Sequence, residues 1–241
     1  MTATAAAAVA TLVVAEVFGP TVQGEGPSTG RRASFLRLGA CNLSCDWCDT
    51  PYTWDASRFD LRAELTRRPV PELVDRLLEG HPGIVVITGG EPLLHQRRPG
   101  WIALLDALHA AGVEIEIETN GTIPPTDYTA ERVTRFNVSP KLQHAGDPED
   151  KRIRPDALAA LVTTGKAAFK FVARTGADVD QVAALAAAHH LPAHTVWLMP
   201  EGTTTAELDT HLHTIADPAI AAGFNLTTRL HVYAWGNERA R

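Results

Sequence analysis

From Ser34 onward, short apolar runs of strand length alternate with amphipathic runs of helical period, and few folds accept such an alternation. Ser34–Leu38 reads as a strand, and Pro71–Leu78 as a helix with Leu73, Val74, Leu77 and Leu78 on one face and Gly80 as its stop. Gly83–Thr88 carries Ile84, Val85, Val86 and Ile87 without interruption, the pattern of a strand covered on both faces. A helix over Trp101–Ala111, closed by Gly112, leads to a strand over Val113–Thr119. Glu114, Glu116 and Glu118 share one side of that strand, the side expected to face solvent. Strands follow over Phe136–Ser139, Ala167–Val172 and Thr195–Met199, separated by helices over Pro155–Val162 and Val179–His189. Thr204 and Glu207 have the spacing of a capping box for a helix reaching Ile215, and Thr227–Tyr233 reads as a last strand. The alternation implies a parallel sheet, either an open barrel or a doubly wound sheet. At 241 residues and 45% hydrophobic content, one domain over 11–241 is expected, after a disordered Ala/Thr-rich arm over 1–10.

In such a sheet the chemistry gathers where strands end. Cys41, Gly89–Gly90–Glu91, Asn120–Gly121, Ser139–Pro140–Lys141 and Met199–Pro200–Glu201 each follow a strand. The three cysteines of the chain all fall in Cys41–Cys48, with the spacing C-x3-C-x2-C. An odd number cannot pair completely within one chain, and clustered thiols point to metal or redox chemistry in a reducing compartment. Three thiolates on one loop can each take one iron of a cubane cluster. The fourth iron then lacks a protein thiolate and stands open to the amine and carboxylate of a small molecule. Spacing alone leaves open a non-catalytic zinc-binding module, its site completed by one of ten histidines. The formal net charge of -6 argues against general nucleic-acid binding. No apolar run approaches the ~20 residues of a membrane span, and Met1–Ala10 lacks the marks of a signal peptide, so a cytoplasmic protein is expected.

Three motifs in order resemble the radical S-adenosylmethionine superfamily: the cysteine triplet with Trp47 before its last member, Gly89–Pro92, and Glu118–Gly121 at a strand end. Further stretches resemble the 7-carboxy-7-deazaguanine synthase family, namely Glu16–Gly26, Phe35–Cys41, Cys48–Thr50, Ile87–Leu94, Asn137–Lys141, Phe169–Phe171 and Leu230–Asn237. The resemblance implies an α/β single-domain open (partial) TIM-like barrel with a 4Fe-4S cluster, S-adenosyl-L-methionine and magnesium. It implies conversion of 6-carboxy-5,6,7,8-tetrahydropterin to 7-carboxy-7-deazaguanine with loss of ammonia, on the route to queuosine and other 7-deazapurines. In that reaction a 5′-deoxyadenosyl radical removes hydrogen from C6 of the pterin, and S-adenosylmethionine is regenerated. A homodimer and a flavodoxin-like or other electron donor are implied as well.

By the same resemblance, Cys41, Cys45 and Cys48 hold the cluster and the Thr50 hydroxyl is a magnesium ligand. Val22, Gln23, Gly24, Glu25, Arg37, Thr88 and His231 meet the substrate, with Arg37 paired to its carboxylate. Trp47, Cys48, Asp49, Gly90, Ser139, Pro140, Lys141, Leu198, Met199, Pro200 and Glu201 line the S-adenosylmethionine pocket. A rival within the superfamily is an activase that forms a glycyl radical on a partner enzyme, which would not require Gln23–Gly26 or a magnesium-binding Thr50.

Overall fold

The computed structural model describes residues 9–241. Its strands are β1 (Thr11–Val22), β2 (Arg32–Leu38), β3 (Thr66–Pro69), β4 (Ile84–Gly89), β5 (Glu114–Thr119), β6 (Arg135–Val138), β7 (Ala167–Ala173), β8 (Val196–Pro200) and β9 (Asn225–Leu226). The helices are α1 (Leu61–Glu64), α2 (Val70–Leu78), α3 (Pro99–Ala110), α4 (Asp127–Arg132), α5 (Glu149–Arg152), α6 (Pro155–Thr163), α7 (Gly176–Ala188), α8 (Thr205–Ala221) and α9 (Leu230–Trp235). One sheet holds the strands in the order β3-β1-β2-β4-β5-β6-β7-β8-β9. Pairing is parallel from β2 to β9, and β1 runs antiparallel to both β2 and β3.

The strand order decides between the two architectures that the alternation allows. A doubly wound sheet reverses its order at a switch point, whereas here the parallel strands follow one another in sequence. Right-handed crossovers that always step the same way place every helix on the same face of the sheet. The other face curls inward and stays open between β3 and β9, so the molecule is an open, partial TIM-like barrel.

Strand parity divides the side chains accordingly. Leu36, Leu38, Val85, Ile87, Ile117, Phe136, Phe169, Phe171 and Leu198 point outward and join Leu73, Leu77, Leu104, Leu108, Leu161, Val182 and Ile215 of the helices in one large core. Facing inward, Phe18, Ala33, Phe35, Ile84 and Val86 form a separate apolar plug, with the Phe18 and Phe35 rings stacked at 4.9 Å. Ile84–Ile87 is thus covered on both faces, as its composition implies. The helix ends also follow local chemistry: Gly80 and Gly112 close α2 and α3 at φ +70°, and Thr204 with Glu207 forms the capping box of α8.

Several expectations are corrected. Glu114, Glu116 and Glu118 do share a side, but it faces the barrel interior, with Glu114 at the rim half-exposed and paired to Arg31. Glu116 is fully buried and accepts from Ser28 Oγ at 2.5 Å and Asn137 Nδ2 at 2.8 Å. The final stretch is not a strand over Thr227–Tyr233: pairing stops at Leu226, and Leu230–Trp235 is helical with Val232 buried. Strand character leaves this segment because Thr227 and Leu230 bond across to the turn after β1, through Gly26 N→Thr227 Oγ1 at 2.9 Å and Leu230 N→Gly24 O at 2.8 Å. Thr195 closes a 3-10 turn ahead of β8 rather than opening the strand. Of the arm expected over 1–10, residues 1–8 lie outside the described residues. Ala10 packs against the core, and its carbonyl accepts from Val70 N at 2.9 Å.

Candidate active site

The cysteine loop leaves the end of β2 and is gripped from both sides. Gly89 and Gly90 allow β4 to approach it: a Cβ on Gly90 would stand 2.1 Å from Ala40 O, and one on Gly89 2.4 Å from Leu38 O. Glu91 N then donates to Ala40 O at 2.8 Å, while the Glu91 carboxylate accepts from Leu93 N, Thr119 Oγ1 and Asn120 N. The Gly-Gly-Glu-Pro turn is thereby tied to the end of β5. Asn120 Nδ2 donates to Asn42 Oδ1 at 3.0 Å, and Asn42 Nδ2 to Thr122 Oγ1 at 2.8 Å. On the far side, Asp147 accepts from Ser44 N at 2.8 Å, and Leu43, Cys45 and Ala145 form an apolar nest against Cys41, Trp47 and Cys48.

All three thiols are free. Burial pushes Cys41 up to about 11, and Cys45 also upward, with the neighbouring cysteines adding to the rise. Taking up iron must therefore release protons from this loop. Among the described residues no three His, Cys, Asp or Glu side chains converge on one point as a single ion requires. A cubane cluster makes no such demand, because each thiolate binds a different iron. The donor set fits a cluster with one iron left without a protein thiolate.

A cleft of about 830 Å³ runs from this loop into the barrel. Near the loop it is lined by Trp47, Cys48, Asp49, Gly90, Ser139, Lys141, Met199, Pro200 and Glu201. Lys141 Nζ donates to Ser139 Oγ at 3.0 Å and lies 5.2 Å from the centre of the Trp47 ring. Two residues expected here do not line the cleft: Leu198 points into the outer core, and Pro140 is buried beside Gly121. Asp49 lines it, but its carboxylate turns to the other end, where it accepts from Arg229 Nη2 at 2.6 Å.

At that other end the turn after β1 presents Val22, Gln23, Gly24 and Glu25 to the cleft. Gln23 Nε2 donates to Glu118 at 3.1 Å, and its amide oxygen accepts from Glu25 N at 3.2 Å. The Glu25 carboxylate accepts from Lys170 and, at 2.9 Å, from Arg229 Nε. Burial opposes its ionisation, but the charges of Lys170 and Arg229 outweigh burial and hold Glu25 far below the usual carboxylate range. His231 sits directly on Gly24, where a Cβ would be 2.0 Å from its Nδ1, and burial depresses its pKa. Arg37 donates through Nε to Glu16 at 2.7 Å, so its two terminal nitrogens have no protein partner among the described residues. Thr88 lies beside Arg37 in register and also faces the cleft. The Thr50 hydroxyl opens on the cleft too, 3.8 Å from Cys48 Sγ and without a capping bond to the backbone.

Lys170, Arg229, Glu118 and Asn137 line this end without having been given a role from sequence, although Glu118, Asn137 and Lys170 stand inside stretches that carry the family resemblance. Lys170 had a signal: it is the one charge in the apolar run Ala167–Ala173. Arg229 had none, since its partner Glu25 is 204 positions away.

Residues 37–201 match the model of the radical SAM superfamily. A 7-carboxy-7-deazaguanine synthase from Pyrobaculum aerophilum is 40% identical over 229 residues, which cover 95% of this chain and 96% of the relative. Another from Hyperthermus butylicus is 38% identical over 92% of each chain. Among solved structures, QueE from Escherichia coli superposes with a TM-score of 0.65 at 26% identity, covering 92% of this chain and 95% of that one. SuiB from Streptococcus suis, at 14% identity and a TM-score of 0.55, shares the fold alone. The cysteine loop, the glycine turn packed on it and these relatives agree, and the chain belongs to the 7-carboxy-7-deazaguanine synthase family of radical SAM enzymes.

Proposed function

We propose that this cleft converts 6-carboxy-5,6,7,8-tetrahydropterin to 7-carboxy-7-deazaguanine with loss of ammonia, a step toward queuosine. The observation that carries the reading is one cleft joining a loop of three free thiols to an end lined by Gln23, Glu25, Arg37 and His231. Bound there, the cluster and S-adenosylmethionine supply the one-electron chemistry that starts the reaction at C6 of the pterin.

The chain's own residues do the rest by holding and orienting. The free terminal nitrogens of Arg37 offer a planar fork to the substrate carboxylate. Gln23, Glu25 and Glu118 form a connected donor–acceptor edge at the depth of the cleft, suited to the aminopyrimidinone side of a pterin. His231, neutral near pH 7 because burial depresses its pKa, can both donate and accept. Thr50 supplies a hydroxyl that magnesium can share with the substrate carboxylate, as a hard cation prefers. Gly90, Trp47, Ser139, Lys141 and Met199–Glu201 surround the adenosyl end.

Free clustered thiols suit a reducing, cytoplasmic setting, and the family reading adds a flavodoxin-like or other electron donor. A homodimer is the assembly expected of such a chain. No helix among the described residues is long and apolar enough to cross a membrane.

Product analysis after anaerobic reconstitution with iron, sulfide, reductant, magnesium, S-adenosylmethionine and the pterin tests the reading. It expects 7-carboxy-7-deazaguanine with S-adenosylmethionine largely unspent. A loaded enzyme that cleaves S-adenosylmethionine yet leaves the pterin unchanged would overturn it and point to the activase reading.

A further inference from the structure

The turn that follows the third cysteine folds back on the first. Thr53, fully buried, passes its carbonyl to Ala40 N at 2.8 Å, and Trp54 N closes the turn on Pro51 O at 3.1 Å. This fixes the direction of the Trp54 side chain. Its indole Nε1 donates to Cys48 Sγ at 3.4 Å, an ordinary length for a bond to sulfur. The indole N–H is a donor only, so it can favour electron density on that sulfur and cannot compete for iron.

The other sulfurs lack an equal partner. Asn120 Nδ2 stands 4.0 Å from Cys41 Sγ, at the limit of a contact, and donates at 3.0 Å to Asn42 Oδ1. No side-chain donor reaches Cys45 Sγ among the described residues. Trp47, although adjacent to Cys48, leaves its own Nε1 buried and unpartnered. The aromatic residue inside the motif and the one beyond it thus differ in kind: Trp47 packs, whereas Trp54 donates.

We infer that Trp54 is a positioning residue for the cluster, tuning its reduction potential through a hydrogen bond to the Cys48 ligand. The inference rests on the cluster assigned above. A cluster sulfur accepts more strongly when the cluster carries the extra electron, so a donor held against it stabilises the reduced state and raises the potential. The residue bonds the Cys48 ligand itself, so its effect is legible without turnover.

The test is an electron-paramagnetic-resonance redox titration of full-length, anaerobically reconstituted protein without substrate, with iron counted per chain. Trp54→Phe keeps the ring and removes the donor. The expected result is wild-type iron content with a more negative midpoint, a change of about tenfold in the reduced-to-oxidised ratio, or ~59 mV for one electron. Benzothienylalanine at position 54, with sulfur in place of the N–H, should give the same shift with less disturbance of packing. A wild-type midpoint in either loaded variant overturns the inference, as does loss of iron from both, which would assign Trp54 to packing alone. A wild-type chain that yields no 4Fe-4S signal sinks the cluster reading itself, and the tuning role with it.

Discussion

Glu91 shows how one residue can carry a cost to serve its neighbours. It is fully buried and accepts from three donors, yet burial still pushes its pKa up to about 7. A carboxyl whose pKa rises on folding binds more protons in the folded state. Stability from this group is therefore greatest at acid pH and falls as pH climbs from the ordinary 4.5 to about 7. The full effect is on the order of 3 kcal/mol. Glu91→Gln should flatten that slope, seen as a smaller difference in urea midpoint between pH 5 and pH 7 than in the wild type. Glu25 has the opposite sign: its stabilisation is present above the ordinary carboxylate range and is lost as acid protonates it. Lys170→Met leaves the Glu25 carboxylate to Arg229 alone, and breaking a buried pair costs roughly 3–5 kcal/mol. Adding Glu25→Gln to that variant should recover part of the loss, and a double-mutant cycle by urea denaturation measures the recovery.

At the level of elements, the junction between β4 and the cysteine loop is the tightest approach of backbone to backbone described. Gly90→Ala would place a methyl group 2.1 Å from Ala40 O, so the loop must move. We expect it to lose more than half of its reconstituted iron. Gly165→Ala, at φ +65° with nothing within 4 Å, should cost about 1 kcal/mol of stability and leave iron content unchanged. Iron assay and thermal melts on the pair separate strain from collision. Elements with a single strong signal were legible in sequence: β4 through its apolar run, α8 through its capping box, and the cysteine loop through its spacing. Alternation in β5 revealed which glutamates share a face but not what lies over it, because period two is the same above water and above a barrel interior. β1 escaped notice because Gly19–Pro20 interrupts it and its register to β2 shifts twice. The final segment misled because Leu230 and Val232 alternate as in a strand, while bonds to the β1 turn draw the chain into a helix.

On the scale of the whole molecule, the barrel is open, and the C-terminal residues stand across the gap. Asn237–Arg241 line the cleft, and Arg239 donates to Glu16 and, at 3.0 Å, to Glu64, with its guanidinium 3.8 Å from the centre of the Tyr52 ring. Because Glu16 also orients Arg37, deleting 237–241 should raise KM for the pterin severalfold. The melting temperature should change little, since these residues are exposed. Steady-state kinetics beside a thermal melt would show it, and an unchanged KM would remove the tail from the substrate end.

The bonds from Thr227, Arg229, Leu230 and Arg239 back to Glu16, Gly24, Glu25 and Gly26 join segments far apart in the sequence. During synthesis, which runs from the amino end, these partners cannot meet until residues 227–239 have left the ribosome. The cysteine loop and the strands that grip it emerge far earlier. A nascent chain thus holds its thiols in a half-built barrel whose far end still lacks a wall.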